Sequence, residues 1–327
     1  MIFAACSLPL ALRGSITYSI TENISYFGWL DQYSLDNATY GFVGGQACIP
    51  TASTNAMTYL QNLAPGYFGT ALTGTSYADW MAADATLVSA SYMNTSSANG
   101  TYYNHIPYAL NKYIIQDKGF AAVQFSGMLP SDYWDPAPYD KPSYMSNGSP
   151  TSEFLRTSLS ANSAIVFSIL YPGVNGGGHE LLAGGLNWTD LNDDGIIQES
   201  ENATLSFVDP LDPSATYPDG QPGGAAKFTQ GHIWNAGDLS TGNLLLDYSQ
   251  YAGKLPYSSG NYSATGAATI DTAFAISVPE PMTWILLAFG LAVVFCLRQK
   301  SLPQKGSEAR QLQLGQVAVR RVIPKKK

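Results

Sequence analysis

The sequence predicts an α+β fold in which one helix packs on an antiparallel sheet and a transmembrane-type helix follows near the C-terminus. Three observations carry that expectation. A Gly-rich turn at residues 44–47 leads past Cys48 into a helix-forming stretch that begins at Pro50 and Thr51 and continues to Gln61. Three apolar runs, Ala164–Leu170, Leu181–Leu186 and Ala203–Val208, are bounded by Gly, Pro, Asn and Asp, as strands are. The sixteen residues Met282–Leu297 carry no charge.

Taken in order, residues 1–18 read as a candidate signal peptide, apolar but without a basic residue before the apolar core. A folded body follows over 19–277. Its first helix starts at Pro50 and Thr51, because proline in a first turn has a pre-set φ and its missing N–H is not needed there. Met57 and Leu60 then fall on one face. Residues 63–150 are rich in Tyr, Ser, Thr, Asn and Pro, with short helices expected around 78–88 and 106–116. A further helix is expected over 151–160, capped by Thr151 or Ser152. The three strands come next, and short strands and turns fill 211–277.

Charge divides the chain sharply. Residues 1–297 hold 23 Asp or Glu against 7 Lys or Arg, a balance of −16, whereas the last thirty residues hold nine Lys or Arg and one acid, Glu308. An acidic body repels phosphate backbones, so nucleic acid is excluded as the expected partner. With 21 tyrosines and 12% charged residues, the surface is expected to be hydrogen-bonding rather than ionic. Cys6 and Cys296 lie in the apolar ends, which leaves Cys48 alone in the body, without an internal disulfide partner.

The uncharged run 282–297 is followed by Arg298, Lys300 and Lys305, and a positive flank of this kind leaves the tail 301–327 on the cytoplasmic side of a membrane. Before it stand Val278, Pro279, Glu280 and Pro281. This order of Pro-Glu-Pro, apolar segment and basic residues over 278–300 resembles the C-terminal sorting signal of bacterial PEP-CTERM proteins. The resemblance implies an exosortase-type processing enzyme as partner. It also implies membrane anchoring through residues 282–297 before processing, and a cell-envelope or extracellular destination.

Cys48 is the first candidate for chemistry. A thiol at a helix N-terminus feels the positive end of the macrodipole and unpaired N–H groups, both of which favour thiolate. Gln46, two residues upstream, is a candidate oxyanion donor beside the Cys48 backbone N–H, with an ordinary turn residue as the other reading. Among three histidines, His179 is the candidate base, because G-G-G-H places it at a strand mouth and glycines let backbone pass close to the Cys48 helix. Asp209, ending the third strand before Pro210, is the candidate orienter of its imidazole, and Asn187 is the alternative. His105 and His232 read as structural or surface residues.

The sequence C-I-P-T-A at 48–52, G-G-G-H at 176–179 and D-P at 209–210 resembles papain-like cysteine peptidases, most closely the C39-like group. The resemblance implies a papain-like fold with Cys48 as nucleophile, His179 as base and Asp209 as its partner. Gln46 would be the oxyanion donor, and a peptide or protein the substrate. Hydrolysis and acyl transfer use the same groups and stay open.

Residues 190–201, D-L-N-D-D-G-I-I-Q-E-S-E, match the spacing of an EF-hand loop without an error. Asp190, Asn192, Asp194, Gln198 and Glu201 are the expected ligands of a structural Ca²⁺, and Gly195 permits the sharp turn. Three function classes follow. The first is an exported cysteine peptidase or related acyl-transfer enzyme. The second is a non-catalytic, calcium-stabilised surface or matrix protein, adhesin-like, that keeps the peptidase fold. The third is a carbohydrate-binding module suggested by the tyrosines.

Overall fold

In a computed structural model, the described residues are 14–36, 46–134, 139–171, 178–211, 225–236, 243–248 and 267–278. The chain divides into units Met1–Pro279 and Glu280–Lys327, and the second lies outside the described residues. The uncharged run 282–297 and the basic tail are therefore outside them, as are residues 1–13 of the candidate signal peptide. Its expected boundary at residue 18 falls within strand β1, Ile16–Thr21.

The centre is a closed, six-stranded antiparallel barrel. Strands β4 (Ala164–Leu170), β5 (Gly178–Asp190), β6 (Thr204–Val208), β7 (Thr229–Asn235), β8 (Leu244–Leu246) and β9 (Ala268–Ser277) pair in sequence, and β9 returns to pair with β4. Strand β1 extends the edge of β5 beyond β4. Strand β2 (Gln124–Leu129) adds to β9 and carries β3 (Met145–Asn147) in parallel.

This architecture overturns the papain-like α+β fold; the transmembrane-type helix expected over 282–297 lies outside the described residues. The described residues close into a barrel with few helices, and none of those helices is long and apolar enough to cross a membrane. Closure rests on β4 meeting β9 across some hundred residues of sequence, from Ala164 opposite Ile276 to Leu170 opposite Thr269. Neither run signals that pairing by itself.

Alternation along each strand sorts side chains into two cores. Ile165, Phe167 and Ile169 of β4 point inward with Leu181, Phe207, Ile233 and Ile270 to fill the barrel. Val166 of β4, Leu182 of β5 and Phe274 and Ile276 of β9 point outward, where they meet helix α1, Cys48–Leu63. Helices α2 (Pro65–Phe68), α3 (Tyr77–Val88) and α4 (His105–Asn111, continued by a π-helical turn to Asp117) flank α1. Helix α5, Ser152–Ser160, is capped by the Thr151 hydroxyl.

Helix α1 is buried on every side from Ile49 to Gln61, so its polar residues need internal partners. They have them. Gln61 donates to Gly74 O at 2.6 Å and accepts from the amides of Leu72 and Thr73. Asn55 bridges to Leu30, and Thr51 Oγ1 donates to Asp84 Oδ2 at 2.9 Å. These contacts fix the rotation of α1, and with it the position of Cys48 at its first residue.

Candidate active site

Cys48 is a free thiol, half-buried at the N-terminus of α1. Its neighbour is His179, the second residue of β5, which is 4% exposed. The imidazole Nε2 lies 2.8 Å from Asp209 Oδ1, just past the end of β6. That leaves Nδ1 as the ring nitrogen available to the thiol, with which the imidazole is in hydrogen-bonding contact. Asp209 is fully buried, and its Oδ1 also accepts the Leu211 amide at 2.8 Å. Its other oxygen accepts the Tyr248 hydroxyl.

Burial works against charge on His179, but Asp209, by its charge and hydrogen bond, and the Cys48 thiol outweigh it and push the imidazole up to about 10. The structure thus brings together Cys48, His179 and Asp209 as expected from sequence. Gln46 is half-buried, and its side-chain carbonyl faces Gly100, whose φ of +70° admits the approach; a Cβ there would sit 3.2 Å from Gln46 Oε1. Asn187, the alternative orienter, pairs with Ser19 of β1 and Thr204 of β6, eight residues along β5 from His179. His105 Nδ1 donates to Met93 O at 2.8 Å, and His232 stacks on Trp234.

Glycines 176 and 177 lie outside the described residues. Gly178 has a steric role different from the one expected: a Cβ there would strike the Tyr103 hydroxyl and stand 2.9 Å from Ile169 O. The close approach is therefore to Tyr103 and to β4 rather than to α1.

Sequence reasoning missed several residues at this site. Tyr248 holds the second oxygen of Asp209. Gln32, 1% exposed, donates its backbone N–H to Pro210 O at 2.8 Å, and the next residue, Tyr33, lies close enough to Cys48 for their charges to interact. Tyr103 is near Cys48 and also near Glu180, Asp271 and Tyr133. None belongs to a linear motif. The one available signal was Glu180 itself, a charged residue placed at an outward, core-facing position of an apolar strand.

The loop between β5 and β6 contains the expected calcium ligands. Asp190, fully buried, accepts the amides of Asp194 and Gly195 at 3.2 and 2.8 Å. Asp194 Oδ2 accepts Asn192 Nδ2 at 2.8 Å and Gln198 Nε2 at 3.0 Å. Gly195 has φ +74°, as the sharp turn requires. Both Glu201 oxygens are already engaged: they accept Trp188 Nε1, Leu191 N and Gln198 N at 2.7–2.9 Å. The donor types and the turn suit a hard cation, while among the described residues no group of three or more His, Cys, Asp or Glu is arranged to hold one.

Compared with protein-family models, with curated proteins and with solved structures, the chain matches none.

Proposed function

We propose that the protein is an exported cysteine peptidase or acyl-transfer enzyme that works through Cys48, His179 and Asp209. The observation that carries this reading is the single imidazole that contacts the thiol on one side and a buried carboxylate, at 2.8 Å, on the other. In this scheme the Cys48 sulfur attacks a peptide or amide carbonyl and the carbonyl π electrons move to oxygen. Collapse of the tetrahedral intermediate breaks the C–N bond, and His179, carrying the proton, delivers it to the leaving amine. Water, or an acceptor amine, then attacks the thioester with His179 taking its proton, and Cys48 is released. Asp209 balances the imidazolium throughout, and the Cys48 N–H with Gln46 supplies the oxyanion donors.

Calcium is part of the proposal as a structural ion in the 190–201 loop, supported by the spacing of its oxygen donors and by the Gly195 turn. So is export to the cell envelope, supported by the Pro-Glu-Pro, apolar and basic order of residues 278–300. An exosortase-type enzyme would be its processing partner. The C-terminal mass of the cell-associated protein tests that part: an end far beyond Pro281 in a strain that expresses such an enzyme opposes it.

The chemistry is tested by the rate at which a small thiol-directed electrophile modifies Cys48 in the full chain, followed by peptide-resolved mass spectrometry across pH. Fast modification below neutrality that is lost in His179→Ala is the expected result. A free-thiol pH profile in both proteins rejects catalysis and leaves a surface or matrix role.

A further inference from the structure

Beside the thiol lies a second group of buried acids that the scheme above does not use. Glu180, next to His179 on β5, is 1% exposed, and on the outer face of the barrel its Oε2 accepts the Ser168 hydroxyl. Ser168 in turn accepts Thr272 Oγ1 at 2.7 Å, so one row of polar side chains crosses β5, β4 and β9. The β4–β9 register shifts between Ser168 and Ile169, where Ile270 and Thr272 find partners and Asp271 is the extra residue. Bulges of this kind re-aim a side chain. Asp271 is 8% exposed, interacts with Glu180, and accepts a hydrogen bond from Tyr133. Its Oδ2 is buried and has no hydrogen-bond partner among the described residues.

Among the described residues neither acid forms an ion pair with Lys or Arg. Burial raises the proton affinity of both, that of Glu180 to about 8 against the opposing charge of the adjacent His179, which is how two such acids tolerate one another. The surrounding outer core is apolar, with Val166, Leu182 and Phe274 on the same strands, and apolar residues at 180 and 271 would pack there without this cost. Two tyrosines complete the group. The rings of Tyr103 and Tyr133 meet edge to face at 5.4 Å, and Tyr103 interacts with Cys48, Glu180 and Asp271 together. Aromatic faces beside carboxylates are what an ammonium or guanidinium group prefers.

We propose that Glu180, Asp271, Tyr103 and Tyr133 form a subsite beside Cys48 for a basic side chain, lysine or arginine, of a peptide substrate. The unpartnered Asp271 oxygen is the acceptor such a cation satisfies, and Glu180 supplies the second charge. The assignment deepens the acyl-transfer reading and rests on it for the word substrate. It makes the enzyme selective for peptides with a positive residue near the bond it cleaves.

The test compares two methanethiosulfonates of similar size on the full chain, the cationic 2-aminoethyl and the neutral propyl reagent, with peptide-resolved rates at Cys48. The cationic-to-neutral ratio is expected to exceed that of a small free thiol by about tenfold, and to fall by about fivefold or more in the double variant Glu180→Gln, Asp271→Asn. An equal ratio in wild type and double variant overturns the subsite. His179→Ala is expected to slow both reagents without lowering the ratio, since it removes a positive charge beside Glu180, so loss of thiol activation registers in the absolute rates and loss of the subsite in a fall of the ratio. If the double variant does not fold, wild type decides: butylguanidine should protect Cys48 and its uncharged isostere butylurea should not, and equal protection by the two overturns the proposal.

Discussion

Asn55, in the middle of α1, replaces a strand partner for Leu30: its Oδ1 accepts the Leu30 amide at 2.9 Å and its Nδ2 donates to the Leu30 carbonyl at 3.1 Å. Leu30 is fully buried, and among the described residues the segment around it has no sheet neighbour to satisfy its backbone. One side chain thus ties residues 28–32 to the helix that carries Cys48. Gly28 is held as closely, since a Cβ there would stand 2.5 Å from Asn55 Oδ1. Asn55→Ala leaves two buried backbone groups unpaired and is expected to lower stability by about 2–4 kcal/mol, read from urea denaturation. A loss below about 0.5 kcal/mol would show that water replaces the amide without cost.

Asp209→Asn removes the charge that keeps His179 protonated. The imidazole is then expected to fall from about 10 toward its ordinary 6.5, since burial is opposed by the Cys48 thiol alone. Modification of Cys48 at mildly acidic pH should slow by about tenfold or more. Tyr248→Phe keeps the charge and removes one hydrogen bond, so its effect should be several-fold smaller. Equal effects of the two changes would contradict the assignment of Asp209 as the counter-charge.

Asp84 gives the pH dependence of stability a definite sign. It is fully buried, with Oδ1 unpartnered among the described residues, and burial, opposed only by the Thr51 hydrogen bond, pushes it up from 3.8 to about 8. A raised carboxyl binds its proton more tightly in the folded state. Its contribution is therefore complete below about 4 and is lost as pH rises through about 8. Glu180 acts in the same direction over the same range. His179, raised as a base, contributes fully below about 6.5 and loses its contribution as pH passes about 10. Asp84→Asn should flatten the first slope, with a stabilisation over wild type that grows between pH 5 and 9 to roughly 1–3 kcal/mol. A pH-independent difference in melting temperature would refute this.

Chelation addresses the loop between β5 and β6. If calcium is bound by Asp190, Asn192 and Asp194 with Gln198 and Glu201, removing it is expected to lower the melting temperature by several degrees and to slow Cys48 modification in parallel. Asp194→Asn should abolish the calcium response, whereas Glu201→Gln should also destabilise the metal-free protein, because Glu201 holds Trp188 and two backbone amides. An unchanged melting curve after verified metal removal removes calcium from the proposal.

Local structure was readable in this sequence where a single element decides it. The run A-I-V-F-S-I-L is β4 from end to end, residues 151–160 are a helix capped by Thr151, and α1 starts within two residues of the expected position. Cys48, His179 and Asp209 were legible because each sits at an element end marked by Gly or Pro. What was not legible depends on pairings across long separations. Nothing in A-T-I-D-T-A-F-A-I-S reveals that β9 bonds to β4, β8 and β2 at once, yet that strand closes the barrel and overturns the expected fold. Tyr103, Tyr133 and Asp271 come from three separate stretches, and only tertiary packing makes them neighbours of the thiol.

Strand β5 has thirteen residues, reaches about 40 Å end to end, and is bonded to β1, β4 and β6. It carries His179 near one end and Asp190 at the other. Its amide protons can exchange with solvent only if neighbouring strands separate, so they should be the slowest in the molecule, exchanging at the rate of global unfolding. A molecule with a misplaced His179 is then one whose barrel has opened. Heat should silence the thiol and melt the sheet in a single event, with no long-lived folded but inert form between them.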